Sequence, residues 1–123
     1  MPEAWDHLLT LAASEVKHTA GSLPSELRHK ALLLPVTYEP SPSEDWLRDG
    51  IEADTLGLFV GPEFSEEPSA ILPPHIILFL GNIWDMVEGD DKEFRVEVRR
   101  TYLHELGHYL GLDEMDLDER GLG

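Results

Sequence analysis

Hydrophobic positions near the start of the chain recur with helical spacing. Between residues 3 and 18 the apolar positions are Trp5, Leu8, Leu9, Ala12 and Val16. Steps of three and four residues bring side chains to one face of a helix, so this segment predicts an amphipathic helix. Pro2 suits its first turn, where the missing N–H would have no helical partner anyway. A turn and a second, short helical piece from Pro24 follow.

Three apolar runs predict β-strands. They are "ALLLPVTYEP" (31–40), "LGLFVG" (56–61) and "HIILFLG" (75–81). Because proline has no N–H to donate to a ladder, Pro35 predicts that the first strand lies at a sheet edge or carries a bulge. The strand that ends at Gly81 precedes the last helix. From this place in the chain we expect it to be an edge strand, and if that edge is open an extended peptide can add to it as a further strand.

Polar and glycine signals delimit two short helices. In "SPSEDWLRDG" the hydroxyl of Ser41 is predicted to cap the first one, with Pro42 and Glu44 at the first and third helical positions. Gly50 is predicted to end it. The segment "NIWDMVEG" (82–89) predicts the second short helix.

A longer helix is predicted over residues 92–110. Asp90 or Asp91 can cap its start, and Gly111 can end it. Five of its apolar residues lie opposite His104 and His108: Val98, Tyr102, Leu106, Tyr109 and Leu110. At about 100° per residue these positions fall within one arc. The helix can therefore bury that arc and turn its opposite face toward a cleft.

The predicted elements follow the order helix, strand, helix, strand, strand, helix, helix. This mixture predicts an α+β fold rather than a regular alternation around a parallel sheet. A length of 123 residues suits one domain that covers residues 1–123.

The chain is strongly acidic, with 25 Asp and Glu against 9 Lys and Arg and a net charge of −16. This charge argues against nucleic acid as a partner, because phosphate backbones are bound by Lys and Arg. It favours cations and basic peptides, although it also keeps a small protein soluble. No apolar run approaches the roughly 18 residues of a membrane-spanning helix, and the N-terminus does not resemble a signal peptide. With no cysteine, thiolate ligands are excluded. We expect a cytoplasmic protein with no membrane partner, and the oligomeric state stays open.

Three residues near the end of the long helix form a pattern that suits metal chemistry: His104, Glu105 and His108. Positions four apart lie one turn apart on one face, with Cβ atoms about 5–6 Å from each other, so two imidazoles can bind one ion. Glu105 lies about 100° further round, where it reaches a metal-bound water rather than the metal. This H-E-x-x-H pattern predicts one Zn²⁺ ion bound by the two histidines, with Glu105 as the catalytic general base.

A catalytic zinc site usually has a third protein ligand and one open position. In the pattern H-E-x-x-H-x-x-G-x-x-H a glycine ends the helix and the third ligand follows at once. Gly111 holds the glycine position here, and Glu114 holds the ligand position. We therefore predict Glu114 as the third metal ligand. Asp113, Asp116, Asp118, or a two-histidine site completed by water, stay open as alternatives.

The segment "EVRRTYLHELGHYLGLDEMDLDERGL" closely resembles the minimal zincin-like metallopeptidases, a family of small bacterial proteins. A looser likeness covers "LPSELRHKALLLPVTYEPSP" and "LGLFVGPEF". The family motif is similar to H-E-x-x-H-x-x-G-x-x-D followed by Leu and Gly, which Leu117 and Gly121 match, whereas Glu114 replaces the usual Asp. The resemblance implies a minimal zincin-like fold, in which a small mixed sheet packs against the active-site helix, and a zinc-dependent metallopeptidase activity.

The predicted function is hydrolysis of a peptide or protein substrate by a metal-activated water, with Glu105 as general base. Arg100, Tyr109 and His75 are candidate donors to the developing oxyanion. Arg100 is also a candidate ion-pair partner for the acidic C-terminal residues. Two alternatives stay open. One is a metal-stabilised binding or regulatory module without catalysis. The other is a metal-dependent RNA-processing hydrolase, because one such family has an H-x3-H-x5-H spacing that this chain mimics with a glutamate in third place.

Overall fold

A computed structural model of the protein describes residues 2–61 and 74–111. The helices in those ranges are α1 (Pro2–Gly21), α2 (Ser25–Leu32), α3 (Glu44–Arg48), α4 (Leu80–Met86) and α5 (Asp91–Leu110). The strands are β1 (Val36–Glu39), β2 (Gly57–Val60) and β3 (His75–Phe79). The predicted α+β class is confirmed. Among the described helices, none combines the length and the apolar character needed to cross a membrane.

The three strands form one mixed sheet in the order β1-β3-β2. β1 runs parallel to β3, with Val36 opposite Ile76. β2 runs antiparallel to β3, with Gly57 opposite Leu78. Within the described sheet the prediction from Pro35 is confirmed, because β1 lies at an edge. The Pro35 carbonyl accepts a hydrogen bond from the Ile76 N–H at 3.0 Å.

The expectation that the strand before Gly81 has an open edge is wrong. This strand, β3, is bonded on both sides and is the centre of the sheet. Its last four residues, 76–79, are all buried. A continuous apolar run of this kind is typical of a strand that is covered on both faces. Within the described residues the second edge of the sheet belongs to β2.

Two predicted boundaries shift around the first strand. Ala31 and Leu32 belong to α2 rather than to a strand, because Ala31 lies one turn after Leu27 and both are buried on the same helical face. β1 begins only after Pro35. The predicted cap at Ser41 is also wrong, since the hydroxyl of Ser43 accepts from the Trp46 N–H and caps α3. Starting two residues later places two acidic side chains in the first turn, where the helix dipole favours them.

The helix predicted from Asn82 begins earlier, at Leu80. Gly81 therefore lies inside α4, where a β-carbon would be 2.5 Å from the carbonyl oxygen of Pro40. Only glycine fits such a close backbone approach. The Asn82 amide fixes the same corner, donating to the carbonyls of Ala53 and Thr55 at 2.8 Å each.

α5 is the central helix of the fold, in contact with α1 on one side and with β2 and β3 on another. Its start is capped by Asp90, whose carboxylate accepts from the Glu93 N–H at 2.9 Å. α5 ends at Leu110, and Gly111 caps it with a left-handed φ of 71°, which is strained for residues with a side chain. Four residues of the predicted apolar arc are buried: Val98, Tyr102, Leu106 and Tyr109. The fifth, Leu110, is partly buried. This packing leaves the histidine-bearing face of α5 toward solvent.

Candidate metal centre

His104 and His108 lie one turn apart on α5, and both are exposed. Their Nε2 atoms are 3.3 Å apart, and the two rings are nearly perpendicular, at 83°. Two nitrogens bound to one tetrahedral zinc ion at about 2.0–2.1 Å would lie about 3.3–3.4 Å from each other. The same distance suits a hydrogen bond in which one protonated Nε2 donates to the other. The pair therefore has the separation that a shared zinc ion needs, once that proton is displaced.

Glu105 lies beside the pair but is far less exposed. Its side chain is 12% exposed, against 45% for His104. The nearest carboxylate oxygen, Oε2, is 3.9 Å from Nε2 of His104. This exceeds hydrogen-bonding range, so the carboxylate is not bound to the ring. One ligand atom from each of the three residues fits within 4.8 Å of the others, a group that could hold a metal ion.

The first residue of β2 covers Glu105. A β-carbon on Gly57 would lie 3.4 Å from Cγ of Glu105 and 2.5 Å from Cγ2 of Thr101. The missing side chain lets the strand approach α5 closely, and this contact shields the glutamate. Beside it lies an open recess of about 300 Å³ that α5 and the start of β2 line together: Leu56, Gly57, Glu97, Arg100, Thr101, His104 and Glu105.

The profile of the zincin-like metallopeptidase family matches residues 33–123, most of the chain. The chain belongs to this family. The resemblance stated from the sequence is therefore confirmed, as is the minimal zincin-like fold with its small mixed sheet against α5. A search of curated proteins found no match to the chain. In this zincin-like chain α1 and α2 precede the matched segment.

The three candidate oxyanion donors of the zincin-like chain lie in different places. Tyr109 is buried on the core side of α5, where its ring lies 5.8 Å from that of Phe59, and burial raises the pKa of its phenol. His75 starts β3 opposite Val60, at the end of β2 away from Gly57. Neither residue lines the recess. Only Arg100 does.

Arg100 forms an ion pair within α5. Its Nη1 donates to Oε2 of Glu97 at 2.8 Å, and the Glu97 side chain is only 10% exposed. The predicted pairing of Arg100 with the acidic C-terminal residues falls outside the described residues. Glu114 and its alternatives Asp113, Asp116 and Asp118 also fall outside the described residues. Their role as the third ligand stays a prediction from the sequence. The described chain ends at the left-handed turn of Gly111.

Three residues of the site were not found by sequence reasoning: Gly57, Thr101 and Glu97. The signal for Gly57 was present, because a glycine within a short apolar strand often marks a close backbone approach. Thr101 and Glu97 lie four and eight residues before Glu105, so helical spacing puts them on its face. Thr101 is covered by Gly57 of β2, and no spacing along α5 reveals that contact.

Proposed function

We propose that this zincin-like chain is a zinc-dependent peptidase. In this proposal His104, His108 and Glu114 hold one zinc ion, and Glu105 is the general base. The observation that carries it is the 3.3 Å separation of the two Nε2 atoms beside a mostly buried glutamate on the same helix. The donor set of two neutral imidazoles and a carboxylate suits zinc.

A zinc ion bound there supplies Lewis-acid polarisation and lowers the pKa of its bound water toward 7. The protein residues do the rest of the work. Glu105 accepts the water proton as the peptide carbonyl is attacked, then delivers it to the leaving amine. Because Gly57 lies against the side chain of Glu105, where a β-carbon would be 3.4 Å from Cγ, the base is held by the fold as well as by solvent. A base held in this way needs little reorganisation when the proton moves.

The shape of the site favours an extended peptide as substrate. β2 is an edge strand within the described residues and runs directly beside Glu105. Backbone N–H and C=O groups on an open edge can bind a peptide as an added strand, which brings its carbonyl groups past the histidine face. In this proposal the strand that binds the peptide is β2, whereas the sequence pointed to β3.

The decisive test is Glu105→Gln, which keeps the shape of the side chain but removes the base. We expect the variant to bind zinc with the wild-type stoichiometry and to lose peptide hydrolysis by at least about 100-fold. Glu26→Gln makes the same change at an exposed glutamate of α2 and is the matched control, with wild-type hydrolysis expected. Unchanged hydrolysis in Glu105→Gln would sink the mechanism.

The assignment of Glu114 needs its own test. Glu114→Gln should weaken zinc binding by about 10-fold or more, whereas Asp113→Asn, Asp116→Asn and Asp118→Asn should each have little effect. Equilibrium dialysis with elemental analysis measures the affinities, and an anomalous-scattering map at the zinc edge identifies the ligand atoms directly. A loss of affinity in one of the aspartate variants instead would move the third ligand to that residue.

The alternative of a metal-stabilised binding module predicts a different result. Zinc would raise the melting temperature, but no peptide in a broad library would be cleaved. Measuring melting and hydrolysis on the same zinc-loaded sample separates the two functions. The high negative charge of −16 continues to argue against the RNA-processing alternative.

A further inference from the structure

The ion pair of Arg100 and Glu97 has an unusual setting. Glu97 is almost buried, on the floor of the recess beside the histidine pair, whereas the Arg100 side chain is 69% exposed. The contact uses Nη1 of the guanidinium. A guanidinium carries five N–H donors in a planar fork, so one carboxylate on Nη1 orients it without using all of them. The pair thus presents a positioned cation at the rim of an otherwise acidic protein.

The position of Arg100 along α5 sets its distance from the proposed chemistry. Arg100 lies four residues before His104, and its side chain extends further back to Glu97, seven residues before His104. At 1.5 Å per residue these offsets are about 6 and 10 Å along the helix. An extended peptide advances about 3.3 Å per residue. The guanidinium therefore lies about two to three peptide residues from a carbonyl held at the histidine pair.

The contacts of β2 with α5 give the direction. Gly57 packs against Thr101 and Glu105, whereas Phe59, two residues later, packs against Tyr109. β2 and α5 therefore run the same way across this face. A peptide added antiparallel to β2, the more stable pairing, runs the opposite way. Its residues after the cleaved bond then pass toward Arg100.

We propose that Arg100, positioned by Glu97, is an anion-binding residue of the cleft that selects peptides with a carboxylate two or three residues after the cleaved bond. This inference rests on the proposed peptidase function. Two sources can supply the group, an acidic side chain or a free C-terminus. Both offer two oxygens in the geometry that a guanidinium fork matches.

The net charge of the chain acts only weakly against this preference. A charge of −16 repels anions, but at physiological salt exposed charges more than about 8 Å away are largely screened. A carboxylate in contact with Arg100 lies well within that distance of the guanidinium. At low salt the field of the whole chain favours basic peptides during encounter, whereas Arg100 acts on one position of the bound peptide.

The test compares matched peptides on the zinc-loaded full chain. A blocked positional library first identifies a cleaved sequence. Peptides then carry Asp or Asn at each of the three positions on either side of the cleaved bond, and a further pair ends two or three residues after it with a free or an amidated C-terminus. We expect the carboxylate at the second or third position after the bond to lower KM by about fivefold with little change in kcat. Whichever pair shows the larger effect identifies the source.

Arg100→Gln should remove the difference in KM between the Asp and Asn peptides, so that their ratio becomes about 1. Arg100→Lys should restore part of that difference. Arg99→Gln is the matched control, because it removes the same charge from the neighbouring exposed residue and should leave the ratio unchanged. Glu97→Gln should reduce the ratio by freeing the guanidinium. A merely structural loss does not move this ratio, since both peptides are measured on the same variant.

Three results would overturn the anion-binding role of Arg100: no preference for Asp over Asn in the wild type, a preference that survives Arg100→Gln, or a preference for Asp before the cleaved bond. If no peptide is cleaved at all, the peptidase function fails instead. Fluorescence anisotropy with labelled Asp- and Asn-containing decapeptides then still tests whether Arg100 binds the carboxylate. Weaker binding of the Asp set to Arg100→Gln than to Arg99→Gln supports it, and equal or absent binding refutes it.

Discussion

Adding one methyl group at Gly57 should test how β2 fits against the face of α5 that carries Thr101 and Glu105. In Gly57→Ala the new β-carbon would lie 2.5 Å from Cγ2 of Thr101 and 3.3 Å from Cδ2 of Leu78. The leucine methyl can move by a small rotation. Thr101 cannot, because its β-branched side chain is stiff and buried on α5. The strand must therefore move away from the helix.

Overpacking of this kind costs about 1–3 kcal/mol of unfolding free energy. Urea unfolding, followed by the fluorescence of the three tryptophans, measures the loss as a lower midpoint concentration. With a slope of about 1–3 kcal/mol per molar urea, a loss of 2 kcal/mol shifts the midpoint by about 1 M.

A second variant identifies the contact responsible. Thr101→Ser removes the opposing methyl and alone costs about 0.8 kcal/mol. In the double variant Gly57→Ala, Thr101→Ser, the alanine methyl fills the space, so we expect at least half of the Gly57→Ala loss to be recovered. Thr101→Val keeps the branch and should give no recovery. Additive losses in the first double variant would refute the close packing of β2 on α5 at this point.

Three further predictions concern stability, each measured by urea unfolding. Thr19 is buried at 2% exposure, and its hydroxyl has no hydrogen-bond partner among the described residues; Thr19→Val should therefore raise stability by about 1 kcal/mol, whereas Thr10→Val at an exposed position of α1 should not. Burial, and then the nearby charge of Tyr38, raise the pKa of Tyr102 to about 12. The folded state thus favours the neutral phenol, so stability that is complete below pH 10 should fall as pH rises toward 12, by on the order of 2 kcal/mol. Tyr102→Phe should flatten this fall, and an unchanged alkaline slope would contradict the assignment. Gly111→Ala should lower the free energy of unfolding by about 1 kcal/mol because φ is 71° there, and Gly111→Asn should lower it less. Equal stability of the wild type and both variants would contradict a left-handed residue at the end of α5.

The helices were the most predictable part of the fold, because their information is local. The amphipathic spacing of α1, the cap at Asp90 and the stop at Gly111 all depend on residues within one or two turns. The strand order could not be predicted in this way. Each strand is only four or five residues long, and nothing in so short a segment distinguishes a central strand from an edge strand. The error over β3 follows from using chain order in place of spatial order.

The same division applies to the site. The separation of His104 and His108 follows from helical spacing alone, and the structure places their Nε2 atoms at the separation that one zinc ion requires. The shielding of Glu105 does not follow from α5 alone, because it depends on Gly57 of another element. The burial of Glu97, and with it the placing of Arg100, also requires the packed fold.

The histidine pair lies on α5 alone, whereas the shielding of Glu105 also requires β2. If the metal pair depends only on α5, a change on β2 should leave zinc affinity unchanged while it alters hydrolysis. Gly57→Ala moves the strand that packs against Glu105 and that we propose binds the peptide, so its effect should fall on kcat/KM and not on zinc stoichiometry. His108→Ala should instead lose zinc binding, and hydrolysis should be lost with it. Loss of zinc in Gly57→Ala would mean that β2 holds the histidine rings as well, and the metal site would then be a tertiary rather than a helical feature.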